Sequence, residues 1–388
     1  MKLTLERQTL LEGLNKVNKA IDTRTPLEAL SGIKIDLNEK GLELLASDSD
    51  LTIKTIIPQE KLSVKEMGTV LLDAKILVNA VKNVKSEKVT LDEKDTHVLL
   101  KAGKSKFKLV KMDVSSYPRI DLTINPNDIN FELNAKVLKR CIEHTAYATS
   151  NQETKPILTG LNFKGEKGVL ATTGCDSYRF GKMYVPFKSN DECSFDFTLP
   201  TKTVNETSKL LTNEDDDIQL SAAQRGLIIR TKDLLIKTRL IDGNYPDINR
   251  LTPPLENSLF TLKLNVKELL AKLINNTIVA DLSKPTTTLR IYKVDGEVKF
   301  ELSSHSEIGD SIEELDVIEY KKNEKFNDDE EYLLAFNNQY LQETLKRIEE
   351  DEVTIYFNGV TNPFIVKPKV DEDKADNELH LLLPYRVR

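Results

Sequence analysis

The residues that most often do chemistry in proteins are few and widely separated in this sequence. A metal site or a nucleophile–base pair needs histidine, cysteine or carboxylate side chains at short, regular spacing. The four histidines and three cysteines lack such spacing; they are His97, His144, His305, His380, Cys141, Cys175 and Cys193. The sequence therefore predicts no metal ligands, no cofactor, no disulfide framework and no catalytic residue.

Two other patterns could serve phosphate or metal chemistry. The segment AGKS at 102–105 resembles the end of a phosphate-binding loop, but Val98 stands where that loop requires glycine. The acidic runs at 213–217, 327–331 and 371–373 could bind Mg²⁺ weakly, but they fall in predicted turns, which explain them better. A metal-dependent enzyme on a repeated α+β scaffold stays open as a less favoured alternative.

Length and composition favour a soluble, cytoplasmic protein of several domains. The chain has 388 residues, of which 39% are hydrophobic and 30% charged, and its formal charge is −7. Domains of about 100–150 residues make three a reasonable expectation. We expect cytoplasmic residence without membrane association, because no apolar run approaches the roughly 20 residues of a membrane span and the first ten residues lack an apolar signal core.

The sequence repeats itself at a spacing of 128 residues. The matched features are Leu10 with Leu138, Asp48-Ser49 with Asp176-Ser177, Pro58 with Pro186, and YPRI at 117–120 with YPDI at 245–248. Four matches in one phase indicate two copies of one domain, and the strand-then-helix phrase from Leu262 indicates a third. We predict domains at 1–127, 128–255 and 256–388.

Each domain in turn contains two strand-then-helix phrases followed by short strands with alternating apolar residues. This pattern predicts an α+β fold in which two helices lie on antiparallel sheets in each domain. The predicted helices are 8–20, 74–85, 135–146, 201–211, 266–279 and 339–348. One face of each helix must pack on a sheet, so the other faces something else.

All six predicted helices carry a net positive charge in a chain whose total is −7. Lysine is a good helix former, so solvated faces are the plain explanation. The shared sign at six equivalent positions instead favours a surface that contacts phosphates without reading bases. If such helices lined a ring at about 8–10 Å spacing, twelve of them would leave a bore of roughly 21–28 Å, so a ring around duplex DNA needs two chains.

This organisation resembles the bacterial sliding clamp, the beta subunit of DNA polymerase III, over the whole chain. The residues that carry the resemblance are the MKLTLER start, GKSKF at 103–107, DSYRF at 176–180, LIDGNYPDINR at 240–250 and LLLPYR at 381–386. The resemblance implies the DNA-clamp fold of three similar domains, closed as a head-to-tail dimeric ring around duplex DNA, with no catalytic activity and no cofactor. Its implied partners are the replicative polymerase alpha subunit, the clamp loader and repair proteins, which dock QLxLF-type peptides.

The resemblance also assigns roles to residues. The implied peptide pocket, between the second and third domains, consists of Leu158, Cys175, Ser177, Tyr178, Arg179, Phe180, Pro246, Arg250, Leu251, Tyr340, Leu383, Pro384, Tyr385 and Arg386. The implied ring interface joins Lys75 and Phe107 to Ile278 and Val279. Together with the helix charges, it places Arg24, Lys75, Lys82, Lys136, Lys139, Arg140, Lys202, Lys209 and Lys272 toward DNA.

One departure from the family pattern keeps a second alternative open. The family usually has a Gly-His-Arg-Leu type phrase where this chain has Ser177-Tyr178-Arg179-Phe180. The bulkier rings of Tyr178 and Phe180 suggest a specialised second clamp with altered client or inhibitor specificity. In the first domain the equivalent positions hold Asp50-Leu51-Thr52, which is consistent with a site formed in the second domain alone.

Overall fold

The computed structural model of the chain describes residues 1–22, 25–125, 128–189, 193–212, 216–281, 284–327, 329–369 and 377–386. These residues group into two compact units by their contacts. The first unit contains residues 1–136, 188–190 and 209–240, and the second contains 137–187, 191–208 and 241–388. The predicted domain boundaries at 127/128 and 255/256 stay predictions.

The described residues contain six α-helices, which lie where the sequence pattern predicts them and are each one or two residues shorter than predicted. They are α1 (Arg7–Val17), α2 (Ala74–Asn83), α3 (Ala135–Thr145), α4 (Thr201–Leu210), α5 (Val266–Thr277) and α6 (Asn338–Leu345). Helix α1 ends early because residues 18–20 tighten into a 3₁₀ turn, a common form of the last helical turn. Within the described residues, no helix is both long and apolar enough to cross a membrane.

Short strands make up the rest of each repeat. In the first repeat they are β1 (Lys2–Glu6), β2 (Gly32–Asn38), β3 (Gly41–Ser47), β4 (Leu51–Pro58), β5 (Leu62–Glu66), β6 (Gly68–Asp73), β7 (Lys88–Glu93), β8 (His97–Ala102) and β9 (Ser105–Met112). In the second they are β10 (Ile129–Asn134), β11 (Gly160–Glu166), β12 (Val169–Cys175), β13 (Arg179–Pro186), β14 (Phe195–Pro200), β15 (Asp217–Ala223), β16 (Gly226–Arg230) and β17 (Leu234–Arg239). In the third they are β18 (Phe260–Asn265), β19 (Thr286–Val294), β20 (Glu297–Ser306), β21 (Gly309–Glu314), β22 (Val317–Lys322), β23 (Tyr332–Asn337), β24 (Glu352–Phe357), β25 (Phe364–Pro368), β26 (Asn377–Leu382) and β27 (Pro384–Tyr385).

The strands form antiparallel sheets that continue from one repeat into the next. The first unit has one sheet in the order β10-β15-β16-β17-β4-β3-β2-β6-β9-β8-β7-β1-β5. The second unit has a sheet in the order β14-β11-β12-β13-β26-β25-β24-β18-β22 and a smaller one in the order β21-β20-β19-β23-β27. The expected α+β class, with three similar domains of two helices and antiparallel sheets, is confirmed.

Strand pairing across repeats occurs at two equivalent places. Strand β4 pairs with β17, with Leu51 opposite Thr238. Strand β13 pairs with β26, with Arg179 opposite Leu382. Since Leu51 and Arg179 are 128 residues apart, the same edge of the first and second repeats receives a strand from the repeat that follows.

Helix α2 illustrates how the sequence forms these elements. Its buried side is formed by Leu77, Ala80 and Val81, which recur at helical spacing, while Lys75 and Lys82 are exposed. Asp73 caps its N-terminus, because the carboxylate accepts a hydrogen bond from the backbone N–H of Ile76 at 2.8 Å.

The N-cap of α2 can be tested by substitution. We expect Asp73→Ala to leave the Ile76 N–H without its acceptor and to cost about 1 kcal/mol of local stability. Hydrogen exchange at the first turn of α2 should then be about fivefold faster. Asn79→Ala, an exposed change on the same helix, is the control. Equal exchange rates in both variants would contradict the assigned cap.

Candidate functional site

A tight turn precedes the strand that carries most of the candidate pocket residues. Ser177 has a φ of 78°, in the left-handed region that non-glycine residues seldom occupy. The Asp176 carboxylate supports this turn by accepting hydrogen bonds from the backbone N–H groups of Tyr178 at 2.9 Å and Arg179 at 3.0 Å. Asp48 and Ser49 form the same turn in the first repeat, where the φ of Ser49 is 82°. The shared Asp-Ser pair therefore serves the turn, as expected.

Arg179 is a buried support of the site. Its guanidinium donates to the Asp176 carboxylate at 3.0 Å, to the Glu343 carboxylate at 2.6 Å and to the main-chain oxygen of Tyr147 at 3.2 Å. It also lies over the ring of Tyr340, 4.1 Å from the ring centre. Burial alone would lower the pKa of Arg179, but the bond to Glu343 and the nearby carboxylates outweigh it and raise the pKa.

Below the turn lies a cluster of buried apolar side chains that we call the floor. It contains Leu158, Cys175, Phe180, Ile248, Ile365 and Leu381. Burial raises the pKa of the Cys175 thiol, so this cysteine behaves as a small apolar residue. Leu158, Cys175 and Phe180 thus lie beneath the surface, and the ring of Phe180 does not reach the mouth of the site.

Exposed apolar side chains form the rim above the floor. Tyr178 is 57% exposed, Leu251 59% and Leu383 38%. The backbone N–H of Leu383 donates to the main-chain oxygen of Tyr178 at 2.9 Å, which holds two of these residues side by side. We call the floor and this rim together the client cleft.

Other predicted pocket residues lie around this rim. Pro246, Ser177, Arg250 and Arg386 are exposed, and Arg250 forms an ion pair with Asp247 at 3.1 Å. Pro384 and Tyr385 form β27, which pairs with β23. The Tyr385 hydroxyl accepts a hydrogen bond from Asn337 at 3.0 Å, and Asn337 also caps α6, which carries Tyr340. The predicted residues are therefore all held within the second unit.

A buried polar network that the sequence analysis missed lies in the same unit. The Glu378 carboxylate bonds His144 at 2.9 Å and His380 at 2.6 Å. His380 in turn bonds the hydroxyl of Tyr147 at 2.9 Å, and the ring of Tyr147 lies 5.2 Å from the Arg179 guanidinium. Glu378 and His380 stand two residues apart on β26, a spacing that is common in any strand and gave no signal.

The electrostatics of this network favour an ionised Glu378. Burial by itself raises the pKa of this carboxyl, but the hydrogen bonds from His144 and His380 outweigh burial and lower it to about 2. The network ties helix α3, which contains His144, to strand β26, which leads into Leu383.

Comparison with known proteins identifies the family. Sequence profiles described as the DNA polymerase III beta subunit match this chain in order: the N-terminal domain at residues 1–121, the central domain at 132–247 and the C-terminal domain at 251–382. The chain belongs to the DNA polymerase III beta-subunit family.

Individual relatives of this family match the whole chain. The protein named Beta sliding clamp in Staphylococcus epidermidis is 32% identical over 403 residues, and that of Halalkalibacterium halodurans is 30% identical over 402 residues, with 100% of both chains covered in each case. The crystal structure of the DNA polymerase sliding clamp from Bacillus subtilis is 28% identical, has a TM-score of 0.91 and covers 100% of both chains.

The beta-subunit resemblance assigned DNA-facing residues, which the structure places on helix surfaces. Lys75, Lys82, Lys136, Lys202 and Lys209 are exposed, and Lys139 and Arg140 are half-buried. Lys272 forms an ion pair with Asp316 at 2.9 Å, which reduces its free charge. Arg24 lies outside the described residues.

The beta-subunit interface residues lie on two apolar patches. Phe107 on β9 and Ile76 on the adjoining helix α2 are exposed, and we call these two residues the first patch. The second patch consists of Ile274 and Ile278 on or next to α5 with Ile308 just before β21, and the half-buried Val279 follows Ile278. The sequence analysis did not single out Ile76, Ile274 or Ile308, although isolated apolar residues on otherwise polar faces were a usable signal.

The acidic runs give no metal site in the described part of the chain. No group of three or more histidine, cysteine, aspartate or glutamate side chains is placed there to hold a metal ion. Residues 213–215, 328 and 371–373 of those runs lie outside the described residues.

The Glu378 network predicts a pH dependence of stability. Because the pKa of Glu378 is lower in the folded chain than its usual value of 4.5, its contribution is complete above that value and is lost as the pH falls toward about 2. We expect Glu378→Gln to remove on the order of 3 kcal/mol at pH 7 and to flatten the fall in stability between pH 5 and pH 3.

Urea unfolding across this pH range measures the effect. Glu324→Gln, which changes an exposed glutamate of the same unit, is the control and should keep the parental pH profile. A Glu378→Gln profile as steep as that of the parent would show that the network does not hold Glu378 ionised.

Proposed function

We propose that this chain is a DNA sliding clamp, a homodimeric ring that encircles duplex DNA and confers processivity on the replicative DNA polymerase. Membership of the beta-subunit family over all three domains is the observation that carries this proposal. The chain acts as a non-catalytic accessory subunit and works in the cytoplasm, where it meets DNA. We assign its domains to residues 1–127, 128–255 and 256–388.

The proposed action on DNA follows from the helix surfaces. Exposed lysines on α2, α3 and α4 present flexible positive charges, which attract phosphates without selecting a base sequence. A clamp that must slide needs this weak, uniform attraction, since strong base contacts would hold it in place. A separate clamp loader opens the ring, because a closed ring cannot thread onto circular DNA.

The proposed client site is the client cleft. Tyr178, Leu251 and Leu383 expose apolar surface around a buried floor, which suits the leucine and phenylalanine side chains of QLxLF-type peptides. The replicative polymerase alpha subunit, the clamp loader and repair proteins would dock here in turn. Since the ring of Phe180 is buried, Tyr178 is the departure from the family phrase that can alter peptide preference.

The proposed dimer joins the first patch of one chain to the second patch of its partner. Each patch combines a helix with the adjoining strand, since α2 packs against β9 and α5 against β21. Strand β21 pairs with β20 on one side, and the Ser105–Val110 part of β9 pairs with β8 on one side. Exposed apolar edge strands of this kind are normally covered, and two such contacts close a two-fold ring.

The client cleft can be tested with a labelled peptide. We expect Leu383→Ala to weaken binding of fluorescein-labelled QLQLF about 5- to 30-fold, because it removes an apolar contact worth about 1–2 kcal/mol. Fluorescence anisotropy measures the Kd. The matched control is Leu333→Ala, because Leu333 is 36% exposed and Leu383 38%. Equal weakening in both variants, or in neither, would contradict the assigned cleft.

The dimer contact can be tested by placing a charge in it. We expect Ile278→Glu to raise the dimer Kd about 10⁴-fold, because an unpaired charge buried in each of the two contacts costs about 3 kcal/mol. Sedimentation velocity over a concentration series measures this Kd. Ile318→Glu is the control, since Ile318 is also exposed but lies on β22 outside both patches. A dimer of unchanged strength in Ile278→Glu would place the interface elsewhere.

A further inference from the structure

The first unit contains a cleft of about 580 Å³ that the proposed function does not use. Leu27, Pro118 and Ile120 supply apolar surface to it, and Leu27 is largely exposed. Its polar lining includes Arg119, Arg225, Lys237 and Arg239. We call it the arginine cleft.

The arginine cleft is the counterpart of the client cleft in the 128-residue repeat. Leu30 corresponds to Leu158 and Ile120 to Ile248, both of which belong to the floor of the client cleft. The Asp48-Ser49 turn has the geometry of the Asp176-Ser177 turn, as described above. The same sequence unit therefore places corresponding residues around both sites.

The rims of the two clefts differ in chemistry. The backbone N–H of Arg239 donates to the main-chain oxygen of Asp50 at 2.9 Å, just as that of Leu383 donates to Tyr178 at the same distance. The arginine cleft thus has Arg239 and Asp50, joined by an ion pair at 3.2 Å, where the client cleft has Leu383 and Tyr178. Arg119 likewise stands where the second repeat has Asp247. The apolar pair Tyr178 and Leu383 is therefore replaced by the charged pair Asp50 and Arg239, and the charge at the third position is reversed from negative to positive.

Two arginines of the arginine cleft form no ion pair within the described residues, although Arg119 lies near enough to the Asp121 carboxylate to help lower its pKa. Asp50 is paired with Arg239, and the Asp128 carboxylate accepts from the backbone N–H of Asn125 at 3.2 Å. Lys237 donates to the main-chain oxygen of Asp121 at 2.5 Å. Arg119 and Arg225 are exposed and form no ion pair with any described residue within 4 Å. A carboxylate that enters this cleft would meet two unpaired guanidinium groups, which bind carboxylates well.

We propose that the arginine cleft is a second peptide-docking site, selective for a partner segment that combines leucine-type side chains with carboxylates. The apolar residues at Leu27, Pro118 and Ile120 take the leucine-type side chains, and Arg119 and Arg225 take the carboxylates. This inference rests on the proposed function in one respect, namely that the related client cleft docks peptides. The two clefts let one chain hold two clients of different charge at the same time.

A matched pair of labelled peptides tests the proposal. Fluorescein-labelled ELELF is titrated against the full-length protein by anisotropy while unlabelled QLQLF saturates the client cleft. We expect ELELF to bind under these conditions and labelled QLQLF to show no further binding. Arg225→Glu should weaken ELELF about fivefold or more, because it replaces an attractive charge with a repulsive one.

The control variant, Arg230→Glu, lies at the opposite end of strand β16 from Arg225. Arg225 precedes β16 and Arg230 ends it, both are exposed, and Arg230 is outside the cleft lining. Arg230→Glu should therefore leave ELELF binding unchanged. Leu27→Ser should weaken ELELF as well, which separates cleft binding from a general attraction to positive charge.

Three results would overturn the proposal. They are no binding of ELELF, displacement of ELELF by QLQLF, and equal effects of Arg225→Glu and Arg230→Glu. Failure of the proposed function looks different, because QLQLF would then fail to bind the parent protein at all, whatever ELELF does. Binding of ELELF with loss in Arg225→Glu and Leu27→Ser, but not in Arg230→Glu, would support the second site.

Discussion

Antiparallel pairing between strands of successive repeats is the interaction on which the rest of this structure depends. The hydrogen bonds of β4 with β17 and of β13 with β26 join an edge strand of one repeat to a strand of the next, so that no edge is left open at either place. Each pairing also brings the end of the incoming strand against the Asp-Ser turn, through Arg239 at the first and through Leu383, just after β26, at the second. Because the turn and the strand end lie side by side, the side chains at these two places form the rim of each cleft.

The two strand pairings share this backbone geometry but are stabilised by different side chains. At the first, Leu51 is a buried apolar residue in the position that Arg179 occupies at the second. Arg179 needs Asp176, Glu343 and the Tyr147 carbonyl to satisfy its guanidinium, and a buried charge that loses such partners is costly. The second pairing is thereby specified by polar partners from the Asp-Ser turn, from α6 and from the 3₁₀ turn that follows α3, and it supports the apolar rim that we assign to client peptides.

The fold was largely predictable from the sequence, because repeats and amphipathic helices leave a periodic signal. The matches at a spacing of 128 residues located the equivalent turns. The periodicity of apolar residues located the six helices of the described residues. The family resemblance selected pocket residues that all lie within the second unit, and their role stays a prediction. It could not distinguish Phe180 in the floor from Tyr178 on the rim, since alternation along β13 does not reveal how deeply each residue is covered.

The remaining features depend on contacts between distant segments, which the sequence does not encode locally. His144 and Glu378 meet across 234 residues, and Arg179 and Glu343 across 164. The exposed apolar residues Ile76 and Ile274 could be noticed in the sequence, but their closeness to β9 and β21 is evident only from the packing of α2 and α5. The arginine cleft was hidden because Arg119, Arg225 and Arg239 come from three separate segments.

The central claim is that two copies of this chain enclose DNA, and topology tests it most directly. The protein is loaded onto a nicked circular plasmid by the clamp loader of the same organism, isolated by gel filtration, and the plasmid is then cut once. The account predicts that the protein stays with the circle and is released when the circle becomes linear, because a ring slides off a free end. Retention on the linear plasmid, or release from the circle at the same rate, would contradict it.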